Sequence, residues 1–396
     1  DKLKRSDCRK RVEKNFSARK MAEEYVRLYE SLIQILILNF MKIGIYCTNN
    51  HSYPFSKDVI YASYDVAVSE ADELSTMGED ITLFAPVGTK TLAKLVTFDM
   101  LPYSDRSVNS TYTDSNSSYE YENIMMVRAL NYLVDNKFDI FQTHCRPFSI
   151  INYAPLKPNL AVISTIHDPL TSPAYKILPV YNQFSNLHLV SLTKAQQELA
   201  PTVNWAGYVH NGIDTNFWKF KAERGTHLLY CGRIMPEKGA DLAVQIAISS
   251  GLPLKIMGNP NHAYKGFFEE KIAPYLSDKI EFLGSVSRGE QIEVYQNALA
   301  LLAPIRWPEP FGFVLIEANS CGVPVIAANK GSVPEIVQHG KNGFIVEGEE
   351  NVAGFVDALK NIDLIERANC RQHVIDNFSL SKMARSYLEM YKKILA

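Results

Sequence analysis

From position 41 onward, short apolar runs alternate with stretches whose apolar residues recur every three or four positions. The runs 42–47, 80–86, 138–143, 160–166, 188–192 and 207–210 read as strands, and 63–77 and 121–136 as amphipathic helices. Gly78 closes the first helix in the way a left-handed terminal residue does. Residues 103–120 are rich in Ser, Tyr, Asn and Asp and read as a mobile loop. A second series starts at 227–231, followed by a helix over 239–250 and strands at 254–257, 279–282, 298–303 and 323–328. Repeated βα units predict two doubly wound, mostly parallel sheets with ligands at the C-terminal ends of their strands. The polar stretch 211–225 serves as linker. The expected domains are 41–218, 219–373 and a closing helix over 374–396.

At 396 residues, two domains are the natural expectation. A formal charge of −2 offers no basic excess for a nucleic acid. The six cysteines have no paired spacing, so neither a zinc site nor a disulfide framework is indicated, and a reducing cytoplasm fits. The sequons at Asn109 and Asn116 then read as loop sequence. No run is long and apolar enough to span a membrane.

Candidate chemistry concentrates in residues 308–337. Pro308-Glu-Pro-Phe-Gly-Phe313 is a loop, and the periodic stretch from Val314 to Cys321 stops at Gly322 with Pro324 beyond. A helix start there points unpaired N–H groups over Phe311, Gly312 and Phe313, a setting for phosphate. Glu309 flanks that place from the loop, and Glu317 follows a turn and a half into the helix. Arg233 and Lys238 project from the loop after the 227–231 run and form a cationic pocket suited to a diphosphate. His144 and His167 end two strands of the first series, where a doubly wound sheet presents its chemistry.

Glu309 and Glu317, set in PEPFGFVLIEANSCGVPVIAANKGSVPEIV, resemble the Glu-x7-Glu motif of family 4 glycosyltransferases. Those are retaining enzymes of the GT-B fold: two Rossmann-like domains face across a cleft, and a C-terminal helix crosses back to the first. Gly232-Arg233 with Lys238 is similar to the family's Gly-Arg-x4-Lys motif. The resemblance covers 41–396. It implies that Glu309 holds the transferred sugar's hydroxyls, Glu317 the ribose, and Arg233 and Lys238 the diphosphate, with amides at Phe311–Phe313 completing the anion site. It also implies that His144 supports charge on the sugar and that His167 lines the same cleft. The family's His-x-His is here Gln142-Thr143-His144, keeping only the second histidine. The first loop, Tyr53-Pro-Phe-Ser-Lys-Asp58, lacks the family's glycine pair, which leaves Ser56 and Lys57 as side-chain contacts. Ser332 and Glu335 match a turn behind the nucleotide site, with a structural role for Glu335, and Gly258 and Gly284 frame the base pocket.

The implied donor is a nucleotide-diphosphate sugar, UDP-glucose-like or GDP-mannose-like. The implied acceptor is a saccharide, a lipid-linked saccharide or a small molecule. No cofactor and no metal are expected: the chain has no Asp-x-Asp triplet, and the cations can meet the leaving group's charge. Two alternatives stand beside this reading, a GT-B epimerase or phosphorylase and a non-catalytic nucleotide-sugar-binding partner of a sister transferase.

Residues 8–29 align with 370–391 at 11 of 22 positions without a gap. Both copies read as a short helix, a break at Asn-Phe-Ser, and an amphipathic helix capped by Ser17 or Ser379. Residues 1–40 are thus expected to be the tail of a sister transferase, and a chain starting at Met41 is expected to fold and keep activity. The rival reading is a peripheral membrane contact, since residues 2–20 hold nine Lys/Arg against two acids, followed by LIQILIL.

Overall fold

The computed structural model describes residues 4–37, 41–55, 62–109, 117–145, 155, 157–260 and 262–396. It forms two compact units, Asp1–Lys42 and Ile43–Ala396. The first holds the helices Arg5–Asn15 and Ala18–Ile37. Ser17 caps the second of these, its Oγ accepting the Lys20 N–H at 3.3 Å.

The larger unit contains two parallel sheets. The first comprises β1 (Lys42–Tyr46), β2 (Asp80–Phe84), β3 (Lys94–Val96), β4 (Ile140–Thr143), β5 (Ala161–Thr165), β6 (Leu187–Ser191) and β7 (Trp205–Tyr208), in the order β3-β2-β1-β4-β5-β6-β7. The second comprises β8 (His227–Cys231), β9 (Leu254–Met257), β10 (Ile280–Gly284), β11 (Ala298–Ala303), β12 (Val325–Ala328) and β13 (Gly343–Val346), in the order β10-β9-β8-β11-β12-β13. Both orders reverse beside their first strand. Central strands covered on both faces need apolar residues throughout, and all six residues of β11, ALALLA, are buried. These are the two Rossmann-like domains the alternation called for. The edge strands β3 and β13 went unread: β3 is a three-residue run, and β13 starts at Gly343 inside the polar, glycine-rich stretch 339–350. The helix Ser117–Asp135 begins inside the stretch read as loop, since its first turn, Ser117-Ser118-Tyr119-Glu120, is polar.

The last two helices, Arg367–Phe378 and Leu380–Leu395, cross back to the first domain. At the break between them Ile213 N–H donates to the Phe378 carbonyl at 2.9 Å, and Leu380 N–H to the Ile213 carbonyl at 3.2 Å. Ser379 Oγ then caps the final helix. Further along, Tyr387 O–H meets Thr165 Oγ1 at 3.0 Å, and Tyr391 donates to buried Glu70 of the helix Ala62–Thr76.

Candidate active site

The strand-order reversal of the second sheet, between β8 and β11, and the ends of β5 and β6 of the first face one cavity of about 320 Å³. Its walls include the ends of β5, β6, β8 and β11, together with the loop 307–312. Such crevices are where open α/β sheets bind ligands.

The 307–312 loop is shaped by close backbone contacts. Gly312 is left-handed (φ 87°) and leads directly into the helix Phe313–Ser320, with no side chain capping the first turn. Leu315 N–H turns back to the Gly312 carbonyl at 3.0 Å, while the Phe313 and Val314 N–H groups precede the first intrahelical acceptor, and both residues line the cavity. Behind the loop, Gly331 sits at φ 56°, where a Cβ would come within 2.5 Å of the Glu309 backbone N and O. Ser332 N–H donates to the Glu309 carbonyl at 2.9 Å, and Ser332 Oγ–H to the Phe311 carbonyl at 2.7 Å. Ser332 thus holds the loop that carries Glu309.

Glu309, Lys238 and Arg233 all line the cavity. Lys238 Nζ forms an ion pair with Glu309 Oε2. The same oxygen accepts the Trp307 indole N–H at 2.9 Å, and Lys238 Nζ lies 4.5 Å from the centre of that ring. Arg233 is exposed, with its guanidinium carbon 5.9 Å from the same ring. It makes no ion pair among the described residues, so it is a cation free to meet an anionic ligand. Phe311, Gly312 and Phe313 complete this wall.

Glu317 does not line the cavity. It is half-buried and accepts from Tyr295 O–H at 3.1 Å. Burial pushes its carboxyl up to about 7, against the pull of Arg288 and the Tyr295 hydrogen bond. Arg288 in turn pairs with Asp65 of the first domain at 2.8 Å.

On the opposite wall the two histidines separate. His167 lines the cavity, while His144 is 4% exposed and lies behind it. His144 Nδ1 is 2.8 Å from His167 Nε2, and His144 Nε2 is 2.7 Å from Glu70 Oε2. Burial pushes Glu70 up to about 8, opposed by the Tyr391 hydrogen bond, and holds His144 at about 3. Burial and the His144 ring hold His167 low as well. With both groups neutral, the Glu70 carboxylic O–H donates to His144 Nε2, and His144 Nδ1–H donates to His167 Nε2. His144 therefore reaches the cavity through His167. Ser56 and Lys57 lie outside the described residues.

The cavity also shows residues that the sequence did not single out. Asn211, in the stretch read as linker, is 1% exposed, lines the cavity, and has neither amide atom hydrogen-bonded among the described residues. A buried unpartnered amide is costly unless a ligand or water satisfies it. Trp307 and Glu70 were missed too, because no spacing rule links them to their partners. Glu335 joins the domains from behind. It accepts from Lys194 N at 3.0 Å, Ala195 N at 2.8 Å and His210 Nε2 at 3.1 Å. Burial raises its carboxyl, and these donors outweigh that and hold it below the usual range.

Residues 213–377 match the model of the family described as glycosyl transferases group 1. A D-inositol 3-phosphate glycosyltransferase of Rhodococcus erythropolis is 32% identical over 179 residues, 41% of this chain and 40% of that protein. An uncharacterised 41.2 kDa protein of the cps region of Klebsiella pneumoniae is 30% identical over 179 residues, 42% of this chain and 46% of that protein. The match thus spans less than half the length of either relative. Among solved structures, AviGT4, a glycosyltransferase of avilamycin A biosynthesis, aligns with a TM-score of 0.66 at 21% identity, covering 90% of this chain and 98% of that one. Anabaena HepE in complex with UDP-glucose aligns with a TM-score of 0.63 at 15% identity, covering 89% of this chain and 100% of that one. The chain has the GT-B fold of glycosyltransferases. Residues 213–377 of it carry the group 1 match.

Proposed function

We propose that this chain is a retaining, metal-independent glycosyltransferase of family 4. It moves a hexose from a nucleotide-diphosphate sugar to a saccharide, lipid-linked or small-molecule acceptor. The observation that carries this reading is the convergence of Arg233, Lys238, Glu309 and a bare helix N-terminus on one interdomain cavity. A diphosphate brings the negative charge that Arg233 and the helix amides lack, and it competes with Glu309 for Lys238. Glu309, relieved of part of that ion pair, accepts hydrogen bonds from sugar hydroxyls, and Trp307 N–H keeps its carboxylate aimed. By the family reading Glu317, which lies outside the cavity lining, serves the ribose.

In the reaction the bond from the anomeric carbon to the diphosphate oxygen breaks as the acceptor hydroxyl attacks on the same face. The leaving oxygen takes up the acceptor's proton. Positive charge on the sugar ring and negative charge on the diphosphate build together, the latter against Arg233, Lys238 and the helix N-terminus. His167, held by His144, faces this cavity from the acceptor side, with Asn211 beside it. The donor follows the family reading, UDP-glucose-like or GDP-mannose-like, and the HepE complex is a GT-B precedent for UDP-glucose. A cytoplasmic enzyme fits the unpaired cysteines. No described helix is long and apolar enough to cross a membrane.

The donor site is tested by thermal shift of the full chain with UDP-, GDP- and ADP-sugars. One base should raise the melting temperature by several degrees, and Arg233→Ala with Lys238→Ala should abolish the shift. If no sugar nucleotide stabilises the chain, the donor site is misassigned.

A further inference from the structure

The sequence copy at 8–29 is also a structural copy, and its apolar side chains lie in the open. Both segments form a helix, a break at Phe-Ser, and a second helix capped by that serine. The Ser17 cap accepts from Lys20 N at 3.3 Å and the Ser379 cap from Lys382 N at 3.4 Å. Tyr25 and Tyr29 stack with ring centroids 6.1 Å apart, and Tyr387 and Tyr391 sit at 6.0 Å. The burial is opposite. Phe16 is 75% exposed, Met21 57% and Tyr29 58%, whereas Phe378, Met383 and Tyr391 are each 2% exposed or less.

The C-terminal copy shows what such a face fits. Phe378 packs its ring 5.5 Å from His210 and 6.0 Å from Phe311. Met383 Sδ takes the Gly212 N–H at 3.1 Å. The two tyrosines reach inward to polar groups, Tyr387 to Thr165 and Tyr391 to Glu70. The 11 identities include each of these four side chains. Among the exposed positions several differ, with Ile375, 39% exposed, corresponding to Glu13 and exposed Glu389 to Arg27, although exposed Asn377 and Lys382 are kept as Asn15 and Lys20. A face that keeps the apolar knobs together with two buried-type hydroxyl handles is built for a protein seat. A membrane surface would require the knobs but not the hydroxyls aimed at a carboxylate and a hydroxyl.

We infer that residues 5–29 are the closing helices of a second GT-B module. That module's seat carries a buried carboxylate for Tyr29, a hydroxyl for Tyr25 and an aromatic recess for Phe16. The seat of this kind within residues 43–396 is already filled by Arg367–Phe378 and Leu380–Leu395, so the partner is another module. This rests on the fold and not on the activity.

Two measurements test it, and failure of either overturns the inference. In the first, residues 370–391 of the full chain are replaced by the sequence of 8–29. The graft should unfold cooperatively within about 10 °C of the parent, because the side chains that fill the seat are unchanged except Met390, which becomes the similarly sized Leu28. Introducing Tyr29→Phe within the graft should lower its melting point by several degrees more. A graft that is unfolded shows that the first copy does not fit such a seat. In the second, the intact chain is mixed with a full chain lacking residues 380–396, the probe that presents an open seat. A 1:1 complex by light scattering is expected, and Met21→Asp in the intact partner, at the position matching the removed Met383, should abolish it. Absence of a complex, or binding to anionic phosphatidylserine vesicles in its place, assigns the face elsewhere.

Discussion

Glu70 is fully buried and meets His144 on one side and Tyr391 on the other, so its protonation state decides how both are held. Its pKa is raised, from 4.5 to about 8, so the stability it contributes is complete below about 4.5 and lost as pH rises through about 8. His144 is depressed from 6.5 to about 3, so its contribution is present above 6.5 and lost as pH falls toward 3. Between 4.5 and 6.5 the two slopes oppose each other, and above 6.5 the Glu70 slope runs with that of Glu317 until about 7 and continues beyond it to about 8. Glu70→Gln, which keeps a donor and an acceptor, should leave the melting temperature near neutral pH little changed and flatten its decline between pH 6.5 and 8. Glu70→Ala should cost roughly 2–4 kcal/mol by denaturant unfolding, since it strands His144 and Tyr391. An unchanged alkaline decline in Glu70→Gln would show that the carboxyl is already ionised in the native state. The glutamates of the site should also differ. Glu317 is raised to about 7 and spends part of its time protonated, so Glu317→Gln should reduce kcat/KM by less than about tenfold. Glu309→Gln, which removes the ion pair with Lys238, should cost a hundredfold or more.

The loop 307–312 is the element on which function turns, and glycine geometry shapes it. Gly331→Ala places a methyl group against the Glu309 backbone at a left-handed φ, so it should both destabilise the chain and raise the donor KM. Wild-type KM in a destabilised Gly331→Ala chain would show that the loop does not depend on that contact. Much at this scale was legible in the sequence. The runs 227–231, 254–257 and 298–303 coincide with β8, β9 and β11, because buried parallel strands read as unbroken apolar runs bounded by turns. Gly322 and Pro324 marked the end of the helix Phe313–Ser320 for the same reason that they end it. The rest was hidden by physics of longer range. Nothing near Asn211 says that its amide is buried without a partner. His144 looked like a strand-end group facing ligand because spacing cannot show that His167 stands in front of it.

At the scale of the whole molecule the two domains are tied at several places beyond the chain crossings. Glu335 binds two backbone N–H groups at the start of the helix Lys194–Glu198, Thr193 Oγ1–H donates to the Pro310 carbonyl at 3.1 Å, and Asp65 pairs with Arg288. The first two lie behind the cavity and act as a fixed edge. Glu335→Ala should therefore lower the melting temperature by several degrees, as three donors, two of them partly buried, lose their acceptor. The Asp65–Arg288 pair is partly exposed and worth at most about 1 kcal/mol. Arg288→Ala should leave the melting temperature within about 2 °C and raise the donor KM, if this contact helps hold the domains together over the donor. A KM unchanged by that substitution would remove Asp65–Arg288 from any role in closure. The central claim is that Glu309, Arg233 and Lys238 together hold a sugar nucleotide for transfer. It is tested most directly by following nucleoside-diphosphate release from the best-stabilising sugar nucleotide in EDTA, for the full chain and for Glu309→Gln. Slow release by the unmutated chain, lost in Glu309→Gln although the nucleotide still binds, is the expected result. Release that is equal in both chains, or that appears only with added divalent metal, would contradict it.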